Sequence, residues 1–392
     1  MKYRLSDIAE FNPRESIKKG SVAKKIAMDK LQPFCRDIPE YEYATFSGGT
    51  KFRNGDTIMA RITPCLENGK TAKVNILDDG EVGFGSTEYI VFRAKENLAD
   101  EDYLYYLVCS PLVRDPAIKS MVGSSGRQRV QTDVVQNLEI DIPDLDTQKK
   151  IGGILRTFDN KIALNNAINE NLQEQARSIF QSWFIDYEPF GGAAPSDWHP
   201  STLGEVAIMK TDSWSPAKNP DVVVEHYSIP AFDEQHYPVF EIASGIKSNK
   251  YILTSDSVMI SKLNPDTKRI WRPVCLSKHP VCSTEFIVYE AKKNGQRDYI
   301  YSLIDSIPFF NHLCSHTTGS TNSRQRATPK STLGFSFLLP PDSVIEEFCH
   351  IVTPMYDLIA SNIVENQSLA KTRESLLPRL MSGELDVSDL GL

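Results

Sequence analysis

Gly85-Ser86-Thr87-Glu88-Tyr89-Ile90-Val91-Phe92-Arg93-Ala94-Lys95-Glu96-Asn97 returns as Cys282-Ser283-Thr284-Glu285-Phe286-Ile287-Val288-Tyr289-Glu290-Ala291-Lys292-Lys293-Asn294, an offset of 197. The echo spreads in both directions. Asp102-Tyr103-Leu104-Tyr105 recurs as Asp298-Tyr299-Ile300-Tyr301, Gly123-Ser124 as Gly319-Ser320, and Arg127-Gln128-Arg129 as Arg324-Gln325-Arg326. Upstream, Arg4-Leu5-Ser6-Asp7-Ile8-Ala9 resembles Thr202-Leu203-Gly204-Glu205-Val206-Ala207, and Asp56-Thr57-Ile58-Met59 resembles Asp256-Ser257-Val258-Met259. Two copies of such length exclude a solenoid and leave a duplicated domain. The 392 residues agree, since about 150 residues per domain gives two or three units.

Within each copy the first part is rich in short β-like runs. In the first these are Thr57 to Ile62, Glu88 to Phe92 and Leu138 to Ile142, parted by turns such as Arg53-Asn54-Gly55-Asp56 and Asp78-Asp79-Gly80. Asp102 to Val113 reads as a short helix ended by Pro116. An α+β globule is expected, closed by Pro143 in one copy and Pro340-Pro341 in the other.

After the proline the pattern changes to a 4-3 spacing at 151, 155, 158, 162, 165, 169, 172, 176, 179 and 183. This is a heptad seam, and adding 197 to each position gives a second one. Asn165 and Asn169 stand at the centre of the first, Asn362 and Asn366 at the centre of the second; polar seam residues penalise the wrong register. The alternative is asparagines on the solvated face of an ordinary core helix. Ser343-Val344-Ile345-Glu346 is a capping box, while Gly152-Gly153, Pro354 and Pro378 predict weak or bent turns. From Gln148 to Phe184 the first helix would be roughly 55 Å long at about 1.5 Å per residue.

Composition narrows the function classes. Hydrophobic residues make up 41% and charged residues 24%, as in a globular protein, and the net charge of −8 argues against coating nucleic acid by bulk electrostatics. Residues 343–392 hold 3 basic against 8 acidic groups, a better match to a protein partner than to phosphate. Seven cysteines without a C-x-x-C pair imply neither a disulfide framework nor a zinc knuckle. The charged start Met1-Lys2-Tyr3-Arg4 and the absence of a long apolar run predict a soluble, cytoplasmic protein with no membrane partner.

No catalytic constellation survives its context. Asn68-Gly69-Lys70-Thr71 lacks the first glycine of a phosphate loop. His312-Leu313-Cys314-Ser315-His316 has metal-ligand types, but copy one has no histidine there, so a structural pair is expected and no metal.

Two unlike α+β globules, each followed by a long helix, the second ending in Leu376-Leu377-Pro378-Arg379-Leu380-Met381-Ser382-Gly383-Glu384, resemble the DNA sequence-specificity subunit of type I restriction-modification enzymes. The first copy departs from that tail with Ile179-Phe180-Gln181-Ser182-Trp183-Phe184. The resemblance implies two pseudo-twofold-related target-recognition domains separated by two long antiparallel helices forming a coiled coil. The expected bounds are 1–145 for the first recognition domain, 146–187 for the first spacer helix, 188–342 for linker and second recognition domain, and 343–392 for the second spacer helix and tail. It also implies that the chain is not itself an enzyme and carries no cofactor. Each recognition domain would read one half of a split site in double-stranded DNA, and the helices would dock two adenine methyltransferase subunits. S-adenosylmethionine would belong to those subunits, and ATP and Mg to restriction or translocase subunits. The rival readings are a coiled-coil adaptor that never touches DNA and an enzyme with a diverged active site.

In a duplicated reader, residues shared by both copies do shared work, while unlike polar residues read bases. Arg127, Gln128 and Arg129 with Arg324, Gln325 and Arg326 are therefore candidates for phosphate or partner contact; structural salt bridges are the alternative. Arg61, Lys70 and Lys73 in the first unlike stretch, and Lys262, Lys268, Arg269 and Arg272 in the second, suit guanine or phosphate recognition, against solvated surface charge for any one of them.

Overall fold

The computed structural model describes residues 2–124, 126–318, 325–388 and 390. Its chain divides into two units, Met1–Leu164 with Asn366–Leu392, and Asn165–Glu365.

In the first unit an antiparallel sheet runs in the order Ala9–Phe11, Tyr89–Ala94, Thr57–Ala60, Thr71–Lys73. Alternation explains why its central strands are apolar throughout. Successive side chains point to opposite faces: Met59, Ile90 and Phe92 enter a core with Tyr103, Leu104 and Leu107 of the helix Glu101–Cys109, while Ile58, Tyr89 and Val91 enter a second core with Ile26 and Phe52. That second core belongs to a further sheet, Glu42–Thr45, Val22–Ile26, Gly83–Gly85, Thr50–Phe52, with one parallel pair. Lys2–Arg4 pairs with Glu139–Asp141 and closes the globule on its own start.

The second unit repeats this plan. Ala207–Lys210, Phe286–Ala291, Ser257–Ser261 and Ile270–Trp271 form the matching sheet, and His199–Thr202 pairs with Ser336–Leu339. Its other sheet has five strands, adding Ser213–Trp214 at one edge. The register corrects one sequence echo. Met59 faces Ile90, whereas Ile260 faces Ile287, so equivalent positions in these strands lie 201 apart while the partner strands lie 197 apart. Ser257, not Asp256, therefore stands where Asp56 stands. Asp56 takes the Arg93 guanidinium at 2.7 Å on both oxygens, and Ser257 donates to Glu290 at 3.0 Å.

The helix expected over 102–113 is two helices, Glu101–Cys109 and Pro111–Lys119. Proline disfavours a helical backbone at the residue before it; Ser110 is extended (φ −71°, ψ 159°), so the break falls at Pro111, whereas Asp115 stays helical and Pro116 is carried inside the second helix. The long helices span Leu145–Phe184 and Asp342–Met381, 40 residues each. Each begins within two residues of its proline, and Gly152-Gly153, Pro354 and Pro378 end neither. Gly152 has a reason to be glycine: a Cβ there would stand 2.9 Å from the Tyr103 backbone nitrogen, where the long helix crosses Glu101–Cys109. Every seam position of both helices is buried or half-buried.

Candidate nucleic-acid interface

Three backbone segments meet beyond the end of the central strand in each unit. In the first, Arg61 N donates to Glu88 O (2.9 Å), Val130 N to Arg61 O (2.9 Å) and Thr63 N to Gln128 O (3.0 Å). In the second, Lys262 N donates to Glu285 O, Ala327 N to Lys262 O and Asn264 N to Gln325 O, each at 2.9 Å. Ser86 and Ser283 hydroxyls accept from the Glu88 and Glu285 amides at 3.1 and 3.2 Å, which fixes the turn that presents each glutamate.

Across this frame lies one ion pair per unit. Arg129 meets Glu88 through Nε and Nη2, the shortest contact 2.7 Å, and Arg326 meets Glu285 at 3.0 and 3.2 Å through the same two nitrogens. The arginine side chains are 44% and 47% exposed, the glutamates 23% and 28%. The Arg129 guanidinium holds the Glu88 carboxyl below the usual carboxylate range. Arg61 adds a weaker contact, Nε to Glu88 at 3.8 Å. Arg127 is exposed, and neither it nor half-buried Lys262 has a side-chain partner among the described residues. Arg324 lies outside them.

The structure thus gathers Arg61, Gln128 and Arg129 around Glu88, and Lys262, Gln325 and Arg326 around Glu285. The other basic candidates are held elsewhere. Lys70 donates to Met28 O (3.0 Å), and Lys73 to the buried Asp102 (2.6 Å). Lys268 reaches Asp305, and Arg269 pairs with Asp233 at 2.6 and 3.0 Å. Arg272 is 9% exposed and takes Asp298 at 2.7 and 3.2 Å and Asp357 at 2.6 Å. Charge committed to a buried carboxylate is costly to withdraw. Lys73 and Arg272 therefore act as internal ties from sheet edge to helix.

Asn165, Asn169 and Asn362 lie in the second unit, and Asn366 opens the closing segment of the first. Asn362 donates to Asn169 (2.8 Å) and Asn165 to Glu365 (2.7 Å). A step forward on one helix is a step back on the other, so these segments run antiparallel. Asn165, Asn362 and Asn366 are buried. In the first unit Arg373 of the second long helix binds Asp159 of the first, which also accepts from Tyr106 (2.5 Å), and Arg373 donates to Phe34 O (3.2 Å). Burial, then the Asp159 charge, push the Tyr106 hydroxyl well above its ordinary value and keep it a donor.

His312 and His316 bond Ser331 O and His312 O, and no group of three or more His, Cys, Asp or Glu among the described residues could hold a metal ion. No helix among those residues is long and apolar enough to cross a membrane.

This duplicated architecture has counterparts among known proteins. Residues 1–174 match the model of the type I restriction modification DNA specificity domain. The chain is 23% identical over 382 residues to the type I restriction enzyme MjaIX specificity subunit of Methanocaldococcus jannaschii, covering 91% of this chain and 86% of that one. It is 23% identical over 413 residues to the HindI specificity subunit of Haemophilus influenzae, covering 85% and 87%. The fold is shared with the crystal structure of the type I restriction-modification S subunit from M. genitalium (TM-score 0.58, 15% identity, 99% and 96% covered). Residues 1–174 thus match a type I restriction modification DNA specificity domain, and over most of its length the chain is similar to specificity subunits of type I restriction enzymes.

Proposed function

We propose that this chain reads a bipartite DNA target, one half-site per unit, and that the long helices set the unread spacer and dock the methyltransferase subunits. The observation that carries the reading is the repeated frame. The same three-segment hydrogen-bond ladder and the same Glu–Arg pair stand in both units, while the residue at the strand end differs, Arg61 in one and Lys262 in the other. A shared scaffold with unlike tips suits two different half-sites, since phosphate contacts position a reader and base-edge contacts specify. Adenine methylation would come from two partner subunits carrying S-adenosylmethionine, and translocation from ATP- and Mg-dependent restriction subunits; the assembly would act in the cytoplasm. At about 1.5 Å per residue a 40-residue helix is about 60 Å long. That length suits a spacer of one to one and a half turns of about 34–36 Å.

The test is a domain exchange. The chain is combined with its methyltransferase partner and methylated adenines are mapped genome-wide. Replacing residues 14–140 with the equivalent segment of a relative is expected to change one half of the methylated sequence and leave the other half and the spacer intact. A change in both halves overturns the modular reading.

A further inference from the structure

We infer that Glu88 and Glu285 are positioning residues for specificity: each fixes the plane of one exposed arginine so that its remaining donor edge, rather than a mobile charge, meets the half-site. This rests on the DNA-reading proposal above.

A guanidinium has five N–H donors in a rigid fork. In both units the carboxylate occupies the same edge, Nε and Nη2, and leaves the Nη1 side turned away from the glutamate. Arg129 Nη1 reaches only the Arg127 carbonyl, at 3.5 Å, and Arg326 Nη1 has no partner among the described residues. A buried tie such as Arg272–Asp298, with side chains 9% and 3% exposed, stabilises the fold. A pair whose arginine is about half exposed contributes little stability, on the order of 0–1 kcal/mol, so stability alone gives little reason for keeping it in both units. The glutamate is held from its own backbone too: Glu88 O and Glu285 O accept from Arg61 N and Lys262 N, so the carboxylate and the strand-end base share one rigid turn. The geometry fixes an arginine on two atoms and spends its other donors outward, as bidentate recognition of a base edge requires.

The experiment uses the full chain with its methyltransferase partner and three duplexes: the intact site, one with the first half scrambled, and one with the second half scrambled. Glu88→Gln is expected to lower the affinity ratio of intact to first-half-scrambled duplex about tenfold. Binding to the scrambled duplex should rise, and the slope of log affinity against log salt should steepen by about 0.9, one added phosphate contact made by the freed arginine. Discrimination at the second half stays at its wild-type value, which also certifies that the variant is folded. Glu285→Gln should give the mirror result and supplies an independent arm should the first variant melt. Arg129→Ala and Glu88→Gln/Arg129→Ala should match each other, because the glutamate acts only through the arginine. If Arg129→Ala and Arg326→Ala lower the ratios but Glu88→Gln and Glu285→Gln do not, the positioning role is overturned and the arginines read unaided. Loss of affinity for all duplexes at constant slope would mark the glutamates as merely structural and overturn it equally. If neither arginine matters, the DNA-reading face itself is elsewhere.

Discussion

Asp159→Ala tests the physics that ties the long helices to the first unit. Asp159 is 5% exposed and binds Arg373, 11% exposed, with Tyr106 donating to its other oxygen. Removing the acid leaves a buried guanidinium with the Phe34 carbonyl and a 3.7 Å contact to the exposed Glu374, and leaves the Tyr106 hydroxyl without its acceptor. Breaking such a pair costs about 3–5 kcal/mol, whereas replacing both partners with apolar residues is near neutral. For a unit of about 150–250 residues each kcal/mol moves the melting temperature by about 2–4 °C, so Asp159→Ala should lower it by about 6–20 °C. The protein supplies its own control. All four tryptophans, Trp183, Trp198, Trp214 and Trp271, lie in the second unit. Heating followed by far-UV circular dichroism should show the first unit melting early, while the tryptophan fluorescence transition stays put. Asp159→Leu/Arg373→Met should recover most of the loss. A single mutant costing under about 1 kcal/mol, or a double mutant as unstable as the single, would refute the reasoning; a tryptophan transition that moves equally would refute independent units.

Arg272→Ala should destabilise the second unit by about 3 kcal/mol, read by tryptophan fluorescence in urea, because it leaves the 3% exposed Asp298 with Arg297 alone. Lys262→Ala should alter stability by less than about 0.5 kcal/mol and weaken binding at the second half-site only, measured by duplex titration. Glu88, Asp144 and Asp342 all have carboxyl groups held below their ordinary range, Glu88 by Arg129, Asp144 by the Thr147 amide and hydroxyl, and Asp342 by Lys293 and Gln296. A depressed folded-state pKa gives stability that is complete above the unfolded value and lost as pH falls through the folded one. Melting should therefore be flat from neutrality to about pH 5 and decline below about pH 4, with Glu88→Gln removing part of that decline. Inserting four residues after Ala167, about one helical turn or 6 Å, should lengthen the unread spacer in the methylated site or abolish assembly; an active enzyme with an unaltered spacer would deprive the helices of a measuring role.

What could be read from sequence follows from what each feature depends on. The seams were legible because burial at 3.5-residue spacing is written into one stretch of chain, and the observed burial follows it position by position from Ile151 to Trp183 and from Phe348 to Leu380. The position of the helix break is not legible, because the preference against a helical residue before proline is obeyed at Ser110-Pro111 and overridden at Asp115-Pro116. Lys73 and Arg272 look like surface bases in sequence, since nothing local announces that Asp102 and Asp298 lie 29 and 26 residues on and face them from a helix.

The equivalence at the reading face was hidden by a change of offset. From Arg61 to Glu88 there are 27 steps, and from Lys262 to Glu285 only 23, so the second copy is four residues shorter between strand end and glutamate. A comparison at a constant 197 pairs Glu88 with Glu285 and Arg129 with Arg326 but misses Arg61 with Lys262, and the Asp56–Asp256 echo misleads by one residue. Only hydrogen-bond register restores the match, because a strand shifted by one turns every side chain to the opposite face. The length difference falls between the strand end and the glutamate turn, the stretch holding Lys70 and Lys73 in one copy and Lys268, Arg269 and Arg272 in the other. On the proposed reading the two units must diverge somewhere, and this stretch diverges in length while the Glu–Arg frame does not.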